Sequence, residues 1–178
     1  MTPRSGFYGL LAPSGKLLRE TFPGRPFPPP QLAAPPLWAA AWAPAGEDAA
    51  CHAEGGRILL FQGELYNTQE LRRQLEASDD ISVPQLLLLA HARWWRDFVL
   101  RLDGLFTLAL RDDEGLHLYR DGSGAHSLYY ATQQPGQIAF ATHLDTLLRL
   151  PGLEKRLARR SLHEYLRFLD IAAPNTLY

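Results

Sequence analysis

The residues with the clearest chemical potential lie between a short apolar run and a leucine-rich segment. Residues 57–61 are mostly β-formers, and residues 68–75 carry leucines four apart among good helix formers. Gly63 stands between them, and Asn67 and Glu70 have the spacing of a capping box. A strand that feeds a helix in this way exposes backbone N–H groups, and the junction can hold an anion or an oxyanion.

A second candidate is the single cysteine, Cys51, with His52 beside it. Adjacent side chains on an extended chain point to opposite faces, so the pair is poorly placed to act as a nucleophile and its base. We interpret Cys51 as a small apolar residue in the loop and turn before residues 57–61. The five other histidines fall on unrelated elements without metal-ligand spacing, and we assign no metal site.

Composition excludes several other functions. The 178 residues include 18 basic and 19 acidic side chains, and a net charge of −1 gives no reason to expect nucleic acid or a membrane surface as a partner. Trp94 and Trp95 are therefore interpreted as packing residues. No apolar run reaches transmembrane length and no signal sequence is visible, so we expect one globular domain in the cytoplasm.

The elements that must position these residues follow from periodicity and turn signals. Ser82 and Gln85 predict a capping box that opens a helix over 83–95, and Ser161 and Glu164 predict another that opens a helix over 161–169. A further helix is expected over 143–150. Beyond the central stretch, strands are expected over 5–11, 37–44, 106–110, 116–120, 128–132 and 137–141. The last four strands are predicted to form an antiparallel meander.

Four segments between residues 57 and 150 carry further motifs in a fixed order. Residues 62–72 contain Gln-Gly-Glu-Leu-Tyr-Asn and then Glu-Leu-Arg, and residues 102–106 read Leu-Asp-Gly-Leu-Phe. Residues 120–130 begin with Arg-Asp and end with Leu-Tyr-Tyr, and residues 139–142 read Ala-Phe-Ala-Thr. Together they resemble the glutaminase domain of asparagine synthetases, the class II glutamine amidotransferases, whose first motif reads Asn-Gly-Glu-Ile-Tyr-Asn.

The resemblance implies an N-terminal-nucleophile (Ntn) hydrolase fold, an α+β four-layer αββα sandwich of two antiparallel sheets. It implies a domain over residues 1–170, with residues 171–178 beginning a linker to a C-terminal synthetase domain that is absent from this sequence. No cofactor is expected in the domain itself. ATP and Mg are expected only in that absent C-terminal domain.

The same resemblance implies a site that has lost its chemistry. The family nucleophile is an N-terminal cysteine activated by its own α-amino group, whereas Ser5 stands at that position behind four residues. Gln62 replaces the asparagine of the oxyanion hole, beside a retained Gly63. Glu64 is retained at a substrate-binding position, and Val83 replaces the aspartate that binds the substrate amine. Residues 37–44 offer no arginine for the substrate carboxylate.

We therefore expect a degenerate, non-hydrolysing domain of an asparagine-synthetase-like, ATP-dependent amide-forming enzyme, as in β-lactam synthetases and lasso-peptide cyclases. It would support its own C-terminal synthetase domain or dock a protein partner, which could be a second copy. Two alternatives stay open. One is an active amidohydrolase that uses Ser5 after N-terminal processing, and the other is a free-standing protein-binding domain.

Overall fold

The computed structural model of the chain describes residues 5–11, 32–34, 37–42, 49–132, 135–150, 152–172 and 175–177. Its first strands are β1 (Gly6–Leu11), β2 (Leu32–Ala34), β3 (Leu37–Trp42), β4 (Ala49–Glu54) and β5 (Arg57–Leu65). Helices α1 (Thr68–Gln74) and α2 (Val83–Trp94) follow, and α2 continues into a 3₁₀ helix (Trp95–Arg101). The remaining elements are β6 (Gly104–Arg111), β7 (Leu116–Arg120), β8 (Tyr129–Ala131), β9 (Ile138–Ala141), α3 (Leu144–Arg149) and α4 (Arg159–Phe168).

The strands form two antiparallel sheets. The five-stranded sheet has the order β2-β3-β1-β9-β8, and the four-stranded sheet has the order β4-β5-β6-β7. Apolar side chains from both sheets, among them Phe7, Leu60 and Phe140, pack together in one cluster. Helices α1 and α2 pack on the outer face of the four-stranded sheet, and α3 packs on the outer face of the other. This arrangement is the αββα sandwich that was expected.

The central strand β5 is apolar along much of its length because both of its faces are covered. Ile58 and Leu60 belong to the cluster between the sheets, whereas Leu59 and Phe61 belong to the cluster under α1 and α2. Successive side chains of a strand point to opposite faces, so a strand buried on both sides needs a continuous apolar run.

The predicted meander is wrong. β6 and β7 pair within the four-stranded sheet, but β8 and β9 form a hairpin in the five-stranded sheet. The glycine-rich segment between β7 and β8 therefore carries the chain from one sheet to the other. Arg120 holds this crossover in place by donating from Nε to the carbonyl oxygen of His126 at 2.5 Å.

One of the three predicted capping boxes is confirmed. Gln85 N donates to Ser82 Oγ at 3.4 Å, and Ser82 N donates to Gln85 Oε1 at 2.8 Å. The Asn67 side chain makes no cap, because it instead accepts from Asp103 N and donates to the carbonyl oxygen of Arg101. The box at Ser161 is wrong because α4 begins two residues earlier, at Arg159.

Candidate functional site

The structure brings Ser5 and Gln62 into direct contact, although they are 57 residues apart in the chain. Ser5 directly precedes β1 and Gln62 lies in β5, and both side chains are buried. Gln62 points towards the other sheet, since it alternates with Ile58 and Leu60. Its Nε2 donates to the carbonyl oxygen of Ser5 at 2.9 Å and lies 3.3 Å from Ser5 Oγ.

A histidine that sequence reasoning left unassigned completes this cluster. His143 Nε2 lies 2.9 Å from the carbonyl oxygen of Ser5. A carbonyl oxygen only accepts hydrogen bonds, so Nε2 is the donor and carries the proton in this contact. The antiparallel pairing of β1 with β9 places His143 there. Tyr8 lies opposite Ala141, so the residues that follow Ala141 run beside those that precede Tyr8, and His143 reaches Ser5. Sequence spacing gives no signal for this contact.

The carboxamide of Gln62 is only half satisfied. Its Oε1 is buried and has no hydrogen-bond partner among the described residues. Thr107 lies directly opposite Gln62 on β6 and is fully buried, but its hydroxyl donates to the carbonyl oxygen of His126 at 3.4 Å. Gln62 therefore fills the space beside Ser5 with its amide group turned towards the protein's own backbone.

Gly63 lies inside β5, opposite Phe106, and not in a turn after the strand. Its φ is +124°, and a Cβ placed on it would come within 2.1 Å of the carbonyl oxygen of Leu105. Gly104 on β6 is constrained in the same way. Its φ is +155°, and a Cβ placed on it would lie 2.2 Å from the carbonyl oxygen of Glu64. The neighbouring strand of the same sheet therefore approaches the backbone at these positions so closely that only glycine fits.

The other two predicted positions lie away from this contact. Glu64 is exposed on β5, and Val83 packs at the start of α2 against the apolar cluster on the outer face of the four-stranded sheet. Val83 thus packs on the opposite face of the four-stranded sheet from the one that Gln62 occupies. An apolar side chain in this place offers no partner for an amine.

Cys51 lies in strand β4, so its prediction as a loop residue was wrong. It pairs with Leu60 and packs into the cluster between the sheets. Burial raises the pKa of the Cys51 thiol, which keeps the thiol protonated and a poor nucleophile. His52 lies opposite Leu59, on the other face, and its Nε2 is 3.8 Å from Glu54.

A second buried polar cluster lies between α2 and the β6–β7 turn. Asp112 Oδ1 accepts from Glu114 N, Gly115 N and His117 Nε2 at 2.9, 3.0 and 3.1 Å. Burial alone would raise the pKa of Asp112, but these hydrogen bonds together lower it. His91 Nε2 is 3.5 Å from Asp112 Oδ2. Within the described ranges, no three His, Cys, Asp or Glu side chains are grouped to hold a metal.

Comparison with known proteins gives one family and several relatives. Residues 41–178 match the family described as glutamine amidotransferase domain. The chain is 29% identical over 124 residues to the glutamine-hydrolyzing asparagine synthetase 3 of Bacillus subtilis, covering 66% of this chain and 20% of that protein. It is 33% identical over 94 residues to the nodule asparagine synthetase of Pisum sativum, covering 51% of this chain and 16% of that protein. The chain thus spans about a fifth of the length of these relatives.

A solved structure shows the fold. The glutamine phosphoribosylpyrophosphate amidotransferase of B. subtilis superposes with a TM-score of 0.54 at 12% identity, over 82% of this chain and 37% of that one. The chain therefore has the Ntn-hydrolase αββα sandwich. None of the helices in the described part of the chain is long and apolar enough to cross a membrane.

Proposed function

The chain belongs to the glutamine amidotransferase domain family and is related to asparagine synthetases, and we propose that it is a non-hydrolysing member of that family. In this role it acts as the N-terminal domain of a longer, ATP-dependent amide-forming enzyme. The observation that carries the proposal is the contact between Gln62 and Ser5, in which a side-chain carboxamide fills the space beside the residue at the nucleophile position.

The backbone nitrogen of Ser5 cannot act as the base that would activate its hydroxyl. Its own nitrogen is bonded to Arg4 in this sequence, and an amide nitrogen cannot take a proton from the hydroxyl. The imidazole of His143 also contacts this residue, and in that contact its Nε2 donates to the carbonyl oxygen of Ser5. A donor that faces the backbone does not deprotonate Ser5 Oγ.

The groups that would bind and polarise glutamine are also replaced. The Gln62 amide donates to the Ser5 carbonyl oxygen, so it is not directed at a substrate oxyanion. Loss of one oxyanion donor lowers kcat by about 10²–10³. Val83 stands at the amine-binding position, and residues 37–42 contain no cation for the α-carboxylate.

The role that remains is docking and support. Relatives of the chain are about 3.5 times as long, since the 124 matched residues make up 20% of the B. subtilis asparagine synthetase 3. Within the described residues, α4 and its flanks expose five large apolar side chains, namely Leu157, Tyr165, Leu166, Phe168 and Leu169. Exposed apolar patches on one helix mark interaction surfaces. ATP and Mg would bind outside residues 1–178.

The parent enzyme would adenylate a carboxylate and capture it with an amine of its own substrate, as β-lactam synthetases and lasso-peptide cyclases do. Ammonia from glutamine is then unnecessary, which agrees with the state of the Ser5 site.

Glutamate release from glutamine tests the loss of hydrolysis. We expect the 178-residue chain to release none above a buffer blank, with a glutamine-hydrolysing asparagine synthetase as the positive control. A variant that lacks residues 1–4 and carries Ser5→Cys should also stay inactive, because the groups that hold the substrate amine and carboxylate are missing. Glutamate release by the unaltered chain would contradict the proposal.

A further inference from the structure

Strand β8 forms an edge of the five-stranded sheet. It pairs with β9 on one side, and no described strand lies on its other side. Tyr129 and Tyr130 of this strand are 37% and 68% exposed. A strand paired on one side only leaves outward-facing N–H and C=O groups, which can pair with an extended segment of another chain.

An apolar cavity flanks each face of β8. The larger one, about 1010 Å³, lies on the α3 side and is lined by residues such as Tyr129, Ala131 and Leu144. The smaller one, about 390 Å³, lies on the side that faces the other sheet and is lined by residues such as Leu128 and Thr132. Both cavities are large enough to admit side chains of a ligand, since pockets of roughly 300–1,000 Å³ hold whole small molecules.

The alternation of β8 side chains separates the two cavities. Ala131 packs against the apolar cluster under α3, whereas Leu128 packs against the cluster between the sheets. A strand added beside β8 has the same alternation, so its successive side chains would enter the two cavities in turn. This arrangement favours an extended polypeptide over a helix, which presents only one face.

The charges at the larger cavity favour an acidic group on the partner. Glu154, Lys155 and Arg156 line it, and Arg156 Nη2 pairs with Glu154 at 2.6 Å. Lys155 leaves the lining with a net positive charge. A carboxylate of the ligand that lies near Lys155 would complement this positive charge.

We propose that β8 accepts an extended segment of a partner protein. This segment has apolar side chains at successive positions and an acidic residue that lies near Lys155. The segment adds a sixth strand to the sheet through its main chain and fills both cavities with its side chains. This inference rests on the proposed docking role, but it is independent of the state of the Ser5 site.

Fluorescence anisotropy with synthetic peptides tests the inference on the 178-residue chain. The probe is a dye-labelled peptide of alternating leucine and valine with an aspartate at one end. Two matched peptides are N-methylated, one at the odd and one at the even amides. Only one set of amides can face β8, so one methylated peptide should bind at least about tenfold more weakly while the other keeps its affinity.

Protein variants locate the binding site. Leu144→Asp places a charge in the larger cavity and should weaken binding by about tenfold or more. Leu100→Asp changes an equally apolar side chain, 81% exposed on the 3₁₀ helix, and should have no effect. Lys155→Glu should reverse a preference for the aspartate peptide over a lysine peptide.

Three results would overturn the inference. They are no binding up to ~1 mM peptide, equal binding of both methylated peptides, and a dimer in sedimentation that Leu144→Asp dissociates. The dimer would show that a second copy covers β8. Glutamate release by the same preparation would contradict the proposed loss of hydrolysis and leave the peptide result unchanged, so the two failures are distinguishable.

Discussion

The Nε2 donor of Gln62 has hydrogen-bond partners, whereas its Oε1 acceptor has none among the described residues. A buried acceptor without a partner costs about 1–3 kcal/mol, whereas the two contacts of Nε2 with Ser5 offset part of that cost. The side chain nevertheless packs well, since it is only 6% exposed. It therefore contributes to stability by its volume as well as by its hydrogen bonds.

Substitutions at Gln62 separate these two contributions. Gln62→Ala leaves a cavity and removes the donor to Ser5, and we expect it to lower the free energy of unfolding by roughly 2–4 kcal/mol. Gln62→Met keeps most of the volume and removes the unpaired acceptor, so its effect should stay within about 1 kcal/mol. Urea denaturation measures both. Exposed Glu64→Gln is the control, and equal stability of the Ala and Met variants would be inconsistent with a packed side chain.

His91 gives the protein a pH-dependent stability. It is 1% exposed, and it faces Asp112, His117, Arg57 and Arg96 as well as the rings of Trp95 and Phe98. Burial lowers the pKa of His91, and the attraction of Asp112 only partly opposes this effect. The unfolded chain, with an ordinary histidine pKa of about 6.5, then binds protons more readily than the folded one.

The stabilising effect of neutral His91 is therefore complete above pH ~6.5 and is lost as pH falls towards the lower pKa of the folded protein. We expect the urea midpoint to decrease between about pH 7.5 and 5.5, and His91→Gln to remove most of that decrease. His163→Gln, on the exposed part of α4, is the matched control. A midpoint that is flat across this range in the unaltered chain would disprove the effect. The pKa of Asp112 is lowered, so the protonation of this carboxylate affects stability only at a more acidic pH.

The family resemblance assigned Ser5 and Gln62 to the nucleophile and oxyanion-hole positions of one site, but it did not predict the hydrogen bonds that they make or the contact of Ser5 with His143. Residue types and motif order locate the first two positions in the chain. The contacts depend on the packing of two sheets and on the pairing of β1 with β9, and Ser5 and His143 are 138 positions apart in the chain. No local pattern encodes such a long-range contact.

At the scale of elements, the β5–β6 pair depends on two glycines. Gly63 and Gly104 have positive φ values, and each faces a carbonyl oxygen of the opposite strand at a distance that excludes a Cβ. The sequence indicated a glycine at a strand end. The structure extends β5 to Leu65, because the pairing with β6 continues past Gly63 to Gly104.

A series of alanine substitutions separates backbone strain from steric overlap. Gly122→Ala should change stability by less than about 0.5 kcal/mol, since its Cβ meets nothing and no positive φ applies. Gly115→Ala adds a φ of +144° without a contact and should cost roughly 1–2 kcal/mol. Gly63→Ala combines both effects and should cost more than about 3 kcal/mol. Thermal unfolding of the three variants would contradict the account if their order were different.

Strand positions were largely predictable, but sheet membership was not. β7 agrees with its predicted range, and β6, β8 and β9 overlap theirs, because alternation and turn residues are local signals. Hydrogen bonds such as that from Arg120 to the carbonyl oxygen of His126 hold the crossover between the sheets. The glycine-rich sequence of this crossover has the same pattern as a hairpin loop, so the sequence could not show that β7 and β8 lie in different sheets. The helix over 83–94 was predictable because its two capping residues, Ser82 and Gln85, lie only three positions apart in the sequence.

At the scale of the whole molecule, two regions differ in character. Gln62 and His143 contact Ser5 at one of them, whereas the region of β8, α3 and α4 exposes apolar side chains and cavities. The exposed apolar surface is the part of the domain on which the proposed docking role depends. The predicted boundary between a domain over 1–170 and a linker over 171–178 stays a prediction.

Intact mass spectrometry after exposure to an electrophilic glutamine analogue tests the loss of glutamine chemistry most directly. The analogue reacts fastest with a nucleophile that is activated in a glutamine site, and peptide mapping distinguishes an adduct at Ser5 from one at the free thiol of Cys51. We expect the mass of the chain to be unchanged after incubation and the chain to begin at Met1 or Thr2. A chain that begins at Ser5 and carries a single adduct would contradict it and would make the protein a serine-dependent amidohydrolase.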